Sequence, residues 1–295
     1  MPTAVGETLP AWQKTWRQLA ERLMADGLDA GKTAALFAGL SSPPSAEPMG
    51  VKVRELYTGK FLSKAHPTKK AQLFQTKLGI PGPWFKGVVT QTNARLCKKF
   101  IAEHERAFAL AEAHWGVPPE TGAALLFVET RLGAYVGKHN AFFTLASMAV
   151  TKDPAGIPEY LDALPGSSER LPWIRERMEQ KAEWAYTELK ALLAYCYENA
   201  LDPLTLKGSV YGAIGLCQFM PGNISRYAVD GDGDGHIDLY QAPDAIASLS
   251  CYLQRHGWKP GLSVSAQRKV LRRYNAMDIY ARTILALART IERLP

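Results

Sequence analysis

Residues 116–133 read GVPPETGAALLFVETRLG, and this segment indicates the kind of fold to expect. Its prolines and Glu120 suit the first turn of a helix: proline lacks an N–H that has no intrahelical partner there, and an acidic side chain complements the helix dipole. Six consecutive apolar residues, 123–128, then lead to Glu129, and Gly133 follows about one turn later. The segment predicts a buried helix that carries a carboxylate near its end.

Most of the chain outside this segment also has the apolar spacing of helices. Helices are predicted at residues 12–40 (with glycines at 27 and 31), 94–115, 140–150, 170–200, 243–256, 264–273 and 277–293. In the predicted helix at 94–115, the buried stripe is expected to include Leu96, Phe100, Phe108 and Leu110. Few stretches alternate as strands do, and the sequence has no fixed-period repeat that would indicate a solenoid. The sequence therefore predicts a mainly α fold.

The 295 residues are 47% hydrophobic and 21% charged, which allows a substantial core in one large domain or two modest ones. This composition excludes a collagen, an extended disordered chain and a disulfide-stapled miniprotein. The sequence has no apolar run of the roughly 18–20 residues that span a bilayer. The first residues lack the basic and apolar regions of a signal peptide, so either the protein is cytoplasmic or a signal has been removed.

Four cysteines lie far apart in the sequence without a C-x-x-C pair, which argues against a zinc site or a disulfide framework. They are Cys97, Cys196, Cys217 and Cys251. Buried free thiols are expected, and a disulfide is the alternative.

The net charge of +7 is unevenly distributed. Residues 51–110 contain 12 Lys and Arg against 3 Asp and Glu, a local charge of +9, while the rest of the chain carries −2. Such a segment can meet nucleic acid, a membrane surface or an acidic polymer. The alternative is a solvated helix face without a partner.

Glu129 is an unusual residue in its apolar setting, since a buried carboxylate costs free energy unless it is paired, neutral or open to a cleft. Burial disfavours the ionised form and raises the pKa, which is what a general acid near neutral pH requires. A surface pair with Arg131, or a carboxylate that caps nearby backbone, is the alternative.

Residues 230–238, DGDGDGHID, have the opening pattern of an EF-hand calcium loop. Carboxylates occupy loop positions 1, 3 and 5, and a glycine at position 6 permits the sharp turn. Gln241 replaces the usual closing glutamate at position 12, and Asp244 at position 15 is the next carboxylate. The pattern favours calcium over the alternative, an acidic glycine-rich turn without metal.

A second glycine-rich segment, residues 208–221, reads GSVYGAIGLCQFMP. It is not a P-loop, because the Gly-Lys-Ser/Thr element is absent. Glycines let backbone groups approach an extended ligand closely. Ser209 and Gln218 offer hydrogen bonds, and Tyr211 and Phe219 offer stacking faces. A tight turn between helices is the alternative.

Together, these segments resemble the membrane-bound lytic murein transglycosylase B family. The matching segments are residues 116–133, 208–221, 230–244, HGW at 256–258 and RYN…Y at 273–280. They occur in the family's order over about 165 residues. The helical pattern before them also resembles the family's N-terminal region.

The resemblance implies a lysozyme-like helical core, related in shape to goose-type lysozyme, with an N-terminal helical elaboration and an EF-hand-like calcium loop. Family members cleave the β-1,4 bond between N-acetylmuramic acid and N-acetylglucosamine in peptidoglycan and leave a 1,6-anhydromuramoyl end. By its position in VETRLG, Glu129 corresponds to the family's catalytic glutamate, the single general acid and base. A second catalytic carboxylate is not expected, since the acetamido group of the substrate can assist.

The resemblance also implies the substrate-binding residues. Ser209 and Gln218 match polar positions of the family's cleft. Asn275 and Tyr280 match the element that positions Glu129 and the acetamido group. Phe219 and Tyr274 are assigned to substrate binding as well, with simple packing as the alternative for Tyr274.

In the acidic loop, the resemblance implies a structural calcium ion, and no organic cofactor is expected. The implied ligands are Asp230, Asp232, Asp234, the His236 carbonyl and Asp244. The long spacing to the last of these is itself a trait of the family.

Peptidoglycan glycan strands are the expected partner, with the +9 segment facing their carboxylates. Nucleic acid is not expected, because only charge favours it. The protein is expected to be a monomer in the periplasm or at the outer membrane. Anchoring to a membrane is expected only through an N-terminal signal, which this sequence lacks.

The predicted organisation is an N-terminal helical region over 1–93, basic from residue 51, and a catalytic region over 94–295 that contains the 230–244 loop. The two are expected to form one integrated unit. The sequence departs from the family at Leu132, Cys217, Gly222, Asn223 and Met277, and residues 66–90 match poorly and are expected to be an insertion. A hydrolytic lysozyme and a non-catalytic peptidoglycan-binding protein are the competing functions.

Overall fold

The computed structural model describes residues 10–62 and 79–295, and within them the chain is mainly helical, as the sequence predicts. The helices of these residues are α1 (Ala11–Ala25), α2 (Ala30–Ala38), α3 (Glu47–Tyr57), α4 (Gln91–Glu103), α5 (Glu105–Trp115), α6 (Pro119–Thr130), α7 (Ala141–Val150), α8 (Pro158–Asp162), α9 (Leu171–Glu198), α10 (Ile224–Tyr227), α11 (Ala242–Arg255), α12 (Val264–Tyr274) and α13 (Asp278–Glu292). A π-helical turn (Thr58–Leu62) follows α3. The strands β1 (His139–Asn140) and β2 (Lys207–Gly208) have two residues each.

One compact unit contains α1 to α3 and α7 to α9, with residues 210–212 of the glycine-rich segment. The long helix α9 packs along α7, and aromatic side chains fill the space between α7 and the first two helices. Phe37 contacts Trp16 and Phe142 with ring centroids 6.1 and 5.4 Å apart. These large buried side chains hold the unit together, since burying one contributes roughly 1.5–3 kcal/mol.

Tyr211 belongs to this unit, and from the sequence its ring is expected to offer a stacking face. Its hydroxyl donates to Glu55 over 2.6 Å, and the Lys52 ammonium lies 3.7 Å from its ring centroid. The hydrogen bonds from Tyr211 and Lys52 hold the pKa of Glu55 below its usual value. The stacking face expected of Tyr211 is therefore used by a lysine of the same unit.

The other unit contains α4 to α6 and α10 to α13, with residues 207–209 and 213–295. Helix α6 is its centre: it packs against α4, α5, α11 and α13, and residues 121–127 and Thr130 are buried. The prediction of a buried helix that ends beside a carboxylate is confirmed. Pro119 lies in its first turn, as the sequence predicts.

Two details of the helix predictions are wrong. Residues 94–115 form two helices, α4 and α5, which meet at His104. Phe100 and Phe108 are buried as predicted, but Leu96 and Leu110 are 50% and 40% exposed. The break changes the direction of the buried face, and small side chains such as Ala94, Cys97 and Ala111 occupy it instead. Similarly, residues 12–40 form α1 and α2, separated by a turn at 26–29.

All four cysteines are buried with free thiols, as expected from their spacing. None of the helices in residues 10–62 and 79–295 combines the length and the hydropathy needed to cross a membrane. Residues 63–78 of the basic segment, and with them most of the expected insertion at 66–90, lie outside the described residues. The boundary at residue 93 and the substrate-facing basic surface stay predictions.

Candidate active site

Glu129 lies in the last turn of α6, and its carboxylate accepts a hydrogen bond from the Tyr280 hydroxyl of α13. Burial raises the pKa of Glu129 from its ordinary 4.5 to about 7, and the hydrogen bond from Tyr280 opposes part of this rise. The side chain is half-buried and retains contact with solvent, although protein atoms surround it closely. Its partner is thus Tyr280 rather than Arg131, the surface partner weighed from the sequence.

The chain reverses immediately after Glu129 in a strained turn. Arg131 and Leu132 have φ angles of 52° and 62°, a left-handed conformation that costs side chains other than glycine about 1–3 kcal/mol. The buried Thr130 hydroxyl stabilises this turn, because it donates to the Leu216 carbonyl over 2.9 Å and accepts from the Gly133 N–H over 3.0 Å. The end of α6 is therefore tied to the glycine-rich segment.

The glycine-rich segment folds back on itself beside this turn. Ile214 and Phe219 exchange two backbone hydrogen bonds of 2.9 and 3.0 Å. The Gln218 amide donates to the carbonyls of Gly215 and Val136 over 3.1 and 3.3 Å. The Ser209 hydroxyl accepts from a backbone N–H of the same segment over 3.0 Å. The segment is thus a closed loop held by its own polar groups, rather than a simple turn between two helices.

Glycine is required at position 215, where the loop passes close to the backbone of Leu239. Its φ angle is 73°, and a Cβ at this position would lie 2.6 Å from the backbone oxygen of Leu239. Only glycine adopts this conformation in that space without strain. The spacing of glycines in the segment thus reflects the packing of the loop.

A cluster of aromatic rings lies behind the Tyr280 hydroxyl. Phe219 is only 1% exposed, and its ring contacts Tyr252 and Tyr274 with centroids 5.7 and 5.9 Å apart. Tyr274 in turn lies parallel to Tyr280 at 6.5 Å, and its hydroxyl donates to the Cys217 carbonyl. The face of Phe219 that the sequence analysis expected to offer to a ligand is therefore turned into the aromatic cluster.

Tyr252 is a residue that the sequence analysis missed. Its ring contacts Phe219, Tyr274 and Tyr227, and its hydroxyl donates to the Arg273 carbonyl over 2.8 Å. The available signal was weak: Tyr252 lies one helical turn before the HGW motif, on an otherwise ordinary amphipathic helix. It links α11 to the connection that carries Tyr274.

Asn275 occupies the junction between α12 and α13. Its side-chain oxygen accepts from the Met277 N–H over 3.1 Å, which shapes the short connection from Tyr274 to the start of α13. Tyr280 lies in the first turn of that helix. The RYN…Y motif therefore positions the hydroxyl that reaches Glu129.

Among these groups, only Glu129 has a pKa brought close to neutrality. Burial and the negative charge of Glu129 raise the pKa values of Tyr274 and Tyr280 well above their usual values. Burial likewise raises the pKa of the Cys217 thiol to about 12. The tyrosines remain hydrogen-bond donors while the carboxyl gains or loses its proton.

The acidic loop brings three carboxylates together. Asp230, Asp232 and Asp244 each contribute one oxygen to a group in which all oxygens lie within 4.8 Å of one another. Asp234 lies outside this group, and its carboxylate accepts from the His236 N–H over 2.8 Å. The loop thus converges on a point between the three carboxylates.

Hydrogen bonds and burial act differently on these carboxylates. Backbone N–H groups of Gly235 and Gly233 lower the pKa of Asp230. Burial, with a contribution from the charges of Asp232 and Asp230, raises the pKa of Asp244. Carboxylate oxygens that converge in this way suit a hard divalent cation such as Ca²⁺, which takes oxygen ligands. The donor set fits that ion.

The sequence matches the transglycosylase SLT domain family over residues 11–270. The chain belongs to this family. It is 35% identical to membrane-bound lytic murein transglycosylase B of Escherichia coli (strain K12) over 190 residues, which are 63% of this chain and 45% of that protein. The chain thus matches less than half the length of this curated relative.

Two solved structures share the fold. SltB3 from Pseudomonas aeruginosa, in complex with NAG-NAM-pentapeptide, aligns with a TM-score of 0.66 and 19% identity over 98% of this chain and 81% of that one. The Escherichia coli lytic transglycosylase Slt35, in complex with calcium, aligns with a TM-score of 0.63 and 22% identity over 94% and 92% of the two chains. These matches agree with the mainly helical fold implied by the sequence resemblance.

Proposed function

We propose that this chain is a peptidoglycan lytic transglycosylase in which Glu129 alone transfers the protons. The observation that carries the proposal is the half-buried Glu129 carboxyl, with a pKa of about 7 and a tyrosine hydroxyl as its hydrogen-bond partner. A general acid works best when its pKa lies near the operating pH. Membership of the transglycosylase SLT domain family supports the reaction class.

In the first step, protonated Glu129 gives its proton to the oxygen of the glycosidic bond between N-acetylmuramic acid and N-acetylglucosamine. The bond from that oxygen to C1 breaks, and the leaving sugar departs with a neutral hydroxyl. The Tyr280 hydroxyl stabilises the carboxylate that Glu129 becomes, because a hydrogen bond to an ionised acceptor is stronger than one to a neutral acceptor.

In the second step, the C6 hydroxyl of the muramoyl residue attacks C1 and closes the 1,6-anhydro ring. Its proton passes to the Glu129 carboxylate, which returns to the protonated state. The two steps consume no water and leave the enzyme unchanged. One carboxyl group thus serves as acid and then as base, whereas most glycoside hydrolases use two.

The remaining site residues hold Glu129 and the substrate. Ser209 and Gln218 hold the glycine-rich loop through their hydrogen bonds and bind the sugars alongside it. Asn275 binds the acetamido group that assists departure from C1. Tyr274 faces the substrate from its half-buried position, and Phe219 acts through its contact with that ring.

A calcium ion bound by the acidic loop supports this unit structurally. Asp230, Asp232 and Asp244 would supply the convergent carboxylates. Asp234, whose carboxylate lies outside that group, and the His236 carbonyl would complete the set, and no organic cofactor is expected. The convergence of three negative charges supports this assignment, since a divalent cation offsets their repulsion. The related Slt35 has been solved in complex with calcium.

The substrate is the glycan strand of the bacterial cell wall, cleaved by a monomer in the periplasm or at the outer membrane. The SltB3 complex contains a NAG-NAM-pentapeptide, a fragment of such a strand. The Escherichia coli relative is described as membrane-bound.

Digestion of purified peptidoglycan, followed by mass analysis of the products, tests the proposal. Muropeptides with anhydro ends, one water lighter than reducing ends, are expected. If only reducing ends appear, the protein is a hydrolytic lysozyme. If the chain binds peptidoglycan but does not cleave it, the protein is a non-catalytic binding protein. Glu129→Gln is expected to abolish product formation and retain binding, whereas Glu120→Gln, the same change at the other end of α6, retains activity.

A further inference from the structure

Two arginines outside the proposed catalytic residues line an open pocket of about 490 Å³. Arg226 ends α10, Arg255 ends α11, and Ser225 and Tyr227 complete the lining. Both arginines are exposed. Together they concentrate two positive charges at the mouth of one concave surface.

The acidic residue nearest to either arginine in sequence is Asp230, four positions after Arg226, and it belongs to the acidic loop. Residues 220–229 and 245–260 contain neither Asp nor Glu. Within the described parts of the chain, neither Arg226 nor Arg255 takes part in an ion pair. Two unpaired guanidinium groups that share a pocket favour an anionic ligand, because each offers several N–H donors in a fork that matches a carboxylate.

The pocket adjoins the aromatic cluster behind Glu129. The half-buried ring of Tyr227 contacts Tyr252 with centroids 4.8 Å apart, in an edge-to-face arrangement. Tyr252 contacts Tyr274 at 4.8 Å, and Tyr274 lies beside Tyr280, which donates to Glu129. Three ring contacts therefore connect the pocket to the tyrosine that binds the proposed acid.

We propose that this pocket is a subsite for a carboxylate-bearing sugar of the glycan strand. Arg226 and Arg255 bind the carboxylate, and Tyr227, whose ring also contacts His256, forms the wall of the pocket beside them. The inference rests on the proposed function, since it assigns the pocket to the same substrate. The carboxylate belongs either to the stem peptide or to the lactyl group of a muramoyl residue from which the peptide has been removed.

The expected effect is on binding of the strand. Exposed charge pairs each contribute modestly, so loss of both arginines is expected to weaken binding about threefold to tenfold at low ionic strength. The effect decreases as salt is added, because mobile ions screen exposed charges. An uncharged glycan is expected to bind equally well with and without the arginines.

Co-sedimentation of the full chain with insoluble glycans tests this subsite. Glu129→Gln is the background, so that the substrate is not degraded, and Arg226→Gln with Arg255→Gln is the test pair. Arg17→Gln with Arg293→Gln removes the same charge from two other exposed arginines and is the matched control. The probes are peptide-bearing sacculi, whose lactyl carboxyls are in amide bonds and whose carboxylates belong to the stem peptides, sacculi stripped of peptides by an amidase, which frees the lactyl carboxylates, and chitin, which has no carboxylate.

Weaker binding of the test pair to sacculi, with unchanged binding to chitin and an unaffected control pair, supports the subsite. A loss on peptide-bearing sacculi that disappears on stripped sacculi identifies the stem-peptide carboxylate as the ligand. A loss on stripped sacculi only identifies the freed lactyl carboxylate, and a loss on both shows that the pocket accepts either carboxylate. Equal losses on sacculi and chitin, an equal loss in the control pair, or no loss at all overturns the subsite.

Cleavage by the parent chain, measured in parallel, separates this inference from the proposed function. A chain that binds through these arginines but releases no anhydro products refutes the transglycosylase assignment and leaves the subsite intact. A chain that releases such products while its binding is indifferent to the arginines refutes the subsite alone.

Discussion

The raised pKa of Glu129 has a consequence for stability that can be measured without any substrate. A carboxyl whose pKa is higher in the folded than in the unfolded chain binds its proton more tightly when folded. The folded state therefore loses stability as the pH rises from about 4.5, the ordinary pKa of the carboxyl, to about 7. Each unit of pKa corresponds to roughly 1.4 kcal/mol, so the loss amounts to at most about 3.5 kcal/mol.

Glu129→Gln removes this cost, because the amide has nearly the shape of the carboxyl, still accepts the Tyr280 hydrogen bond and never ionises. The variant and the parent are expected to have similar free energies of unfolding at pH 4. At pH 8 the variant is expected to be more stable, by up to about 3.5 kcal/mol. Urea denaturation of both proteins at pH values between 4 and 8 measures the difference directly.

The same series with Glu120→Gln, in the first turn of the same helix, controls for the loss of one carboxylate. A stability difference between Glu129→Gln and the parent that is independent of pH would refute the raised pKa. A stability difference that grows toward acidic pH would show that folding lowers the pKa of Glu129 instead of raising it. Either result would remove the physical basis for Glu129 as a general acid.

Three further perturbations test the surroundings of the site. Tyr280→Phe removes a hydrogen bond that lowers the pKa of Glu129. The alkaline limb of the pH–rate profile is therefore expected to move up by about one to two units, since such bonds to charged groups contribute about 1.5–3 kcal/mol. Removal of calcium by a chelator is expected to lower the melting temperature of the parent and to leave that of Asp244→Asn nearly unchanged. The reason is that an ion present at a hundred times its Kd stabilises the folded state by about 2.7 kcal/mol. Gly116→Ala is expected to cost more than about 1 kcal/mol in urea denaturation, because φ is 66° and the new Cβ would lie 2.6 Å from Pro260 Cδ.

Each of these has a matched control and a contradicting result. Tyr135→Phe, at an exposed tyrosine, is expected to leave the pH–rate profile in place, and an unmoved profile in Tyr280→Phe contradicts its role. Asp162→Asn is expected to keep the full response to chelation, and a parent that does not respond has no calcium in the loop. Gly261→Ala has a similar φ of 77° with open space around it, so equal costs at the two glycines would rule out the clash at Gly116.

The sequence allowed most of the helices and the central carboxylate to be predicted, because both leave local signals. Glu129 is conspicuous as a lone acid after six apolar residues. The apolar spacing that defines a helix does not reveal where it breaks, however. His104 separates α4 from α5, so Leu96 and Leu110 lie on the solvent side although their spacing fits a buried stripe.

The arrangement of the site depended on contacts that local patterns do not contain. Tyr280 reaches Glu129 across 151 positions of sequence, and only the family resemblance indicated that pair. Phe219 reads as an available stacking face, yet the rings of Tyr252 and Tyr274 cover it. Which face of an aromatic ring remains open is decided by packing between distant helices.

Digestion of peptidoglycan in water enriched in heavy oxygen tests the central claim most directly. If Glu129 returns the proton within the substrate and the C6 oxygen closes the ring, the new muramoyl ends carry no oxygen from the solvent and are one water lighter than reducing ends. New ends that are reducing and contain one heavy oxygen each would show that water attacks C1. That result would contradict the transglycosylase mechanism and identify a hydrolase.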